Sequence, residues 1–113
     1  MSRKHYRVKK LPPCNKFLDV SLDDENKKFW EEAQEYQHEY ANIRRKADLG
    51  LKITRDDVKK LYLEAFDVTQ VIFNFLYLLQ NQYGKHYRFT VDEIIQQGIE
   101  KNRVRGYYEE KKI

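Results

Sequence analysis

An all-α protein is expected from this sequence, on three observations. Residues 61–79, LYLEAFDVTQVIFNFLYLL, keep helical spacing while leaving little of the circumference polar. A helix-start signature recurs at Ser21, Thr54 and Thr90, each with an acid three residues later, Asp24, Asp57 or Glu93. Such a hydroxyl accepts a hydrogen bond from a free amide of the first turn, and the acid reaches back while also favouring the positive end of the helix dipole. Finally, Gly50, Gly84 and Gly106 stand where each helix needs a left-handed stop. The expected helices are 22–48, 55–83 and 91–104.

The first helix places Phe29, Ala33, Tyr36, Tyr40, Ile43 and Ala47 at alternating steps of four and three, a heptad seam. Glu31, Glu32, Glu35, Lys28, His38 and Glu39 fall outside that seam and read as the exposed face. The second helix sets Leu61, Ala65, Val68, Ile72, Phe75, Leu76 and Leu79 on one side, and Tyr62, Phe66 and Phe73 widen it past half the cylinder. These two helices are expected to form an antiparallel hairpin across the Gly50 turn. Asp67, Gln70 and Asn74 interrupt the apolar stretch and fit either an exposed polar strip or a buried set that fixes a register between chains. The third helix is short, with Val91, Ile94, Ile95, Ile99 and Val104 as its apolar positions.

Just before the second and third starts, residues 51–53 and 87–89 alternate apolar and basic side chains. That pattern fits extended linkers or, less well over so few residues, a short two-stranded ribbon. The three helices differ too much in length and pattern to be copies of one repeat.

Size argues for an elongated, dimeric bundle. A second helix over 55–83 would be about 44 Å long at about 1.5 Å per residue, whereas a compact globule of 113 residues spans about 34 Å. One thin helix pair and a short third helix cannot sheathe so apolar a rod. A homodimer that closes a four-helix core is the simplest cover, with Tyr62, Phe66, Phe73, Leu76 and Leu79 as its interface.

Charge divides the chain into a basic arm, 1–16, and a helical domain, 17–113. The arm holds Arg3, Lys4, Arg7, Lys9, Lys10 and Lys16 and no acid, so the net +4 is +6 on the arm and −2 on the remainder. A flexible arm of this kind suits a local anionic partner. Within it Arg3, Lys4, Tyr6, Arg7, Lys9 and Lys10 interleave cations with an aromatic ring, as a phosphate-tracking, base-stacking segment does. Lys85 and Arg88, with His86, and Lys101, Arg103 and Arg105 extend the candidate footprint onto the body, although cations in these places also stabilise helix C-termini.

Other chemistries are poorly served. The single cysteine, Cys14, rules out an intrachain disulfide and a cysteine-based zinc site, and fits a reducing, cytoplasmic setting. The first fourteen residues are charged and lack the apolar core of a secretory signal. Glu64, Asp67, Gln70 and Asn74 make the apolar stretch unsuitable for lipid, so no membrane partner is expected. Glu35 and His38 have the Glu-x-x-His spacing of di-iron bundles, and the polar stripe of the second helix offers Glu64 and Asp67, but Glu35 and His38 flank the seam instead of occupying it. No metal, cofactor or catalytic residue is therefore expected, and no enzymatic activity. Composition rich in Lys, Glu, Asn, Tyr and Ile gives the impression of a small accessory protein of a phage or mobile element.

The function expected is that of a nucleic-acid-binding accessory or regulatory protein that acts as a homodimer through its arm. The alternative is a dimeric adaptor or inhibitor that docks on a protein partner through a Tyr-rich surface, the chain having nine tyrosines in all.

Overall fold

The computed structural model describes residues 10–14 and 18–109, and it is mostly helical. The helices are α1 (Leu22–Asp48), α2 (Arg55–Leu79), a π-helical turn (Gln80–Gly84), a three-residue α3 (Lys85–Tyr87) and α4 (Val91–Val104). Among the described residues there is no strand. The alternating stretches are linkers: residues 51–54 are irregular, and Arg88 takes the left-handed conformation (φ 58°), which a paired strand does not allow.

All three long helices begin where the hydroxyl signatures placed them. Ser21 Oγ accepts from the Asp24 amide at 3.1 Å, Thr54 Oγ1 from Asp57 at 3.2 Å and Thr90 Oγ1 from Glu93 at 3.2 Å. At Thr54 the capping box is complete, because its own amide donates to Asp57 Oδ2 at 2.9 Å. Gly50 (φ 68°) and Gly106 (φ 78°) supply the left-handed stops of α1 and α4.

Gly84 corrects the sequence reading. It does not end the second helix; the backbone stays helical through the π turn and α3, and Arg88 is the left-handed residue that stops it. The demand on Gly84 is space. A Cβ there would stand 2.7 Å from the Phe89 carbonyl oxygen, which belongs to the chain as it doubles back. The Phe89 amide donates to the Gly84 carbonyl at 3.0 Å and closes that turn. Gln80, the first residue of the π turn, accepts the Val91 amide on its side-chain oxygen at 2.7 Å, so the turn also ties down the start of α4.

α1 and α2 pack against one another. Near the Gly50 turn, Lys46 Nζ lies 2.7 Å from Asp57 Oδ1 and 2.8 Å from Oδ2. With the Lys46 ammonium and the Thr54 amide on it, the Asp57 carboxyl is held down to about 2. At the other end Asn26 and Phe29 of α1 share a cavity with Val71, Ile72, Phe75 and Leu76 of α2. The described chain is a flat slab, 53 × 44 × 19 Å with a radius of gyration of 17.9 Å, against about 13 Å for a compact domain of this length; the sequence reading of a thin molecule holds, but two of its dimensions are broad.

Among the described residues the fully buried apolar core is small: Val71 and Leu78 of α2 and Val91 of α4. A second correction concerns α1. Its buried positions are Glu25 and Glu32, the latter a residue that reads from the sequence as exposed, whereas Trp30 and Tyr40 stand out in solvent. α1 is thus rolled so that an acidic edge is covered beside the apolar seam, of which Phe29, Ala33, Tyr36 and Ile43 are half-buried.

Candidate functional site

Two surfaces of this fold are candidates for a site: the basic, aromatic turn before α4, and an open apolar side of α2.

The arm reaches the body along α2. Cys14 donates its amide to Asn74 Oδ1 at 3.0 Å, and Gln70 Nε2 donates to the Pro12 carbonyl at 2.8 Å and to Asn74 Oδ1 at 3.1 Å. Pro12 and Pro13 keep this stretch extended and remove two amide donors that would otherwise need partners. Asn74 is covered to 2 % exposure. Of the polar residues inside the apolar stretch, therefore, Gln70 and Asn74 form a seat for residues 12–14, while Asp67 is exposed. Lys10 then pairs with Asp92 in the first turn of α4 at 2.5 Å, and that hydrogen-bonded carboxylate raises the Lys10 ammonium above its ordinary range.

Arg3, Lys4, Tyr6, Arg7 and Lys9 lie outside the described residues. Lys10, the last of the arm cations among the candidates, sits beside the start of α4, and so do Lys85 and Arg88. These two exposed residues line a cavity of about 430 Å³ with Gln80, Asn81 and Thr90. Aromatic rings accompany them. Tyr83 and Tyr87 have ring centres 6.2 Å apart, and His86 meets Tyr87 edge-on at 4.6 Å. The second body cluster lies elsewhere. Lys101, Arg103 and Arg105 stand at the far end of α4, about 20 Å away along a 14-residue helix. Within it Arg103 is engaged by Glu100 through two bonds, Nε to Oε2 at 2.9 Å and Nη2 to Oε1 at 2.6 Å.

The apolar side of α2 is open. Tyr62 is 74 % exposed and Phe66 48 %; Phe73, Leu76 and Leu79, the other expected interface residues, are half-buried. Two apolar cavities run along it. One, of about 240 Å³, is the Phe29–Ile72–Leu76 cavity, and the other, of about 300 Å³, is lined by Tyr36, Val58, Leu61, Tyr62 and Ala65. At 100° per residue Val58, Leu61, Tyr62, Ala65, Ile72 and Leu76 fall within one arc of about 100°, so both cavities lie on one side of the helix.

Some of these relationships have no short-range sequence signal. Gln80 gives no hint that it will cap α4, and Asn74 announces a buried polar group without naming what it binds. His38 is exposed, and the acids that converge are Glu32, Glu35 and Glu64, not the Glu35, His38, Glu64 and Asp67 set suggested by spacing. No helix among the described residues is long and apolar enough to cross a membrane. No known family model matches the chain, and neither a curated protein nor a solved structure shows significant similarity to it.

Proposed function

We propose that this chain is a homodimeric, non-enzymatic nucleic-acid-binding accessory protein of the cytoplasm. Two antiparallel helix pairs close over the open side of α2 into a four-helix core, and each protomer presents its basic arm from a fixed root. The Lys10–Asp92 pair carries this reading. It holds the base of the arm at the first turn of α4, the helix that follows the turn bearing Lys85, Arg88 and the rings of Tyr83, His86 and Tyr87. Phosphates would meet the cations and unpaired bases would stack on the rings. Two such ends on one dimer raise affinity through effective concentration.

The open aromatic surface also favours a second reading, a dimeric adaptor that docks on a protein partner through exposed Tyr62, Tyr83, Tyr87, Tyr107 and Tyr108. Size-exclusion light scattering combined with fluorescence anisotropy on short single strands and duplexes separates the two. The nucleic-acid reading expects a dimer whose affinity falls steeply between 50 and 300 mM salt, on the order of tenfold or more for several phosphate contacts. It also expects large losses on removal of residues 1–9 and in Lys85→Glu/Arg88→Glu. A dimer that binds neither strand form at 50 mM salt would leave the protein-partner reading standing; a monomer would overturn the assembly.

A further inference from the structure

The open side of α2 carries a projection and a recess at opposite ends. Tyr62, in the half of the helix nearer the Gly50 turn, is 74 % exposed. In the other half, Ile72 and Leu76 border the apolar cavity of about 240 Å³ with Asn26 and Phe29 of α1. Tyr62, Ile72 and Leu76 fall within about 80° around the helix at about 100° per residue, so ring and cavity face the same way. Ile72 and Leu76 put the cavity at the level of residue 74, about 18 Å along the axis from Tyr62 at about 1.5 Å per residue.

A projection and a recess placed evenly about one point make a face complementary to itself. A two-fold axis crossing α2 at the level of residue 68 carries each Tyr62 to the cavity of the other copy, and each cavity to the other ring. That reciprocity is what an isologous interface requires. Asn26, at the border of the cavity, offers a hydrogen-bond partner for the tyrosine hydroxyl. Near the axis Thr69 donates its hydroxyl to the Ala65 carbonyl at 2.9 Å, so covering it leaves no unmet polar group.

Charge selects the same orientation. Arg55 and Lys59 border a further cavity with Tyr62 at the turn end. Among the described residues no charged side chain borders the Phe29–Ile72–Leu76 cavity or the one beside Tyr36. Two copies with their turns at the same end bring these four cations together, whereas turns at opposite ends keep them apart. The segments outside the described residues are poor covers for this side. Residues 1–9 hold four cations and no acid, 15–17 are three residues, and 110–113 read Glu-Lys-Lys-Ile.

We propose that two copies of this chain pack with their α2 helices antiparallel, each inserting Tyr62 into the Phe29–Ile72–Leu76 cavity of the other. This arrangement rests on the dimer proposed above and specifies its contact; nucleic acid plays no part in it.

The test pairs two substitutions in the full-length chain, Tyr62→Ala, which removes the projection, and Leu76→Trp, which fills the recess. By light scattering each variant alone should dimerise at least tenfold more weakly than the parent. Their equimolar mixture should form a heterodimer tighter than either homodimer, because one chain still offers a recess and the other a ring. Cross-linking gives a second measurement that leaves both features intact. In a Cys14→Ser background, Thr69→Cys should join to its copy through a short thiol cross-linker. Lys59→Cys should not, since its two copies would stand about 27 Å apart along the helices. A monomeric parent would overturn this arrangement together with the dimer. A dimer in which Lys59→Cys cross-links and Thr69→Cys does not would keep the dimer and overturn the arrangement, as would folded variants whose mixture recovers nothing.

Discussion

The two sides of α2 invert the usual arrangement of a surface helix. On one side Gln70, Asn74 and Leu78 are covered, and the amide side chains are spent on the strap 12–14. The opposite arc, centred about 170° from Asn74 around the helix, leaves Val58, Tyr62 and Ile72 exposed, and exposed Phe66 flanks it. Along residues 70–78 the polar side is covered, and the apolar side is not. A monomer selected to stand alone would bury the second before the first, because apolar area removed from water contributes about 25 cal/mol per Å² and exposed apolar patches of this extent mark interaction sites. The chain's own segments thus close only one side of its most hydrophobic element.

Substitutions on the covered side should therefore destabilise the isolated chain, and those on the open side should not. Leu78→Ala, at a position 1 % exposed, should cost about 3 kcal/mol, read from denaturant midpoints at constant slope. A loss under about 1 kcal/mol would erase the contrast. Asn74→Ala, which deprives both the Cys14 amide and Gln70 of their shared acceptor, should cost about 2 kcal/mol. It should also accelerate hydrogen exchange at Cys14; unchanged exchange would mean the strap is held some other way. Gln70→Ala removes the bond to the Pro12 carbonyl from a less buried place and should cost about 1 kcal/mol. Tyr62→Glu on the open side should change the stability of dilute, dissociated protein by no more than about 0.5 kcal/mol. Light scattering at high concentration should nevertheless show the proposed dimer lost, and a dimer that tolerates the charge would place the interface elsewhere.

Local chemistry was legible in the sequence, and partnership was not. Ser21, Thr54 and Thr90 could be read as caps because a cap bond spans three residues and is decided by residue type. Gly50 and Gly106 could be read as stops for the same reason. Gly84 misled, because a glycine needed for close approach and one needed for a positive φ look identical in a string of letters. Periodicity located the apolar sides of α1 and α2 but did not say which neighbour would cover them. Hence the seam around Phe29, Tyr36 and Ile43 is only half-buried, with Tyr40 exposed and Glu32 taken inside. The convergence of Glu32, Glu35 and Glu64 depends on the roll of two helices about their axes, a quantity set by packing that no short motif encodes. The basic arm was legible as charge alone; its root on Asn74 joins residues 60 positions apart in the chain.

That last separation bears on the order of events when the chain folds. The Lys46–Asp57 clasp closes a loop of only 11 positions around Gly50, whereas the strap bonds must close loops of 58 and 60. Closing a loop costs entropy that grows with its length, and contacts between near neighbours form first. The turn should thus be built in the transition state and the strap added late. In kinetic terms, Asp57→Asn would slow folding, while Asn74→Ala would leave the folding rate nearly unchanged and hasten unfolding.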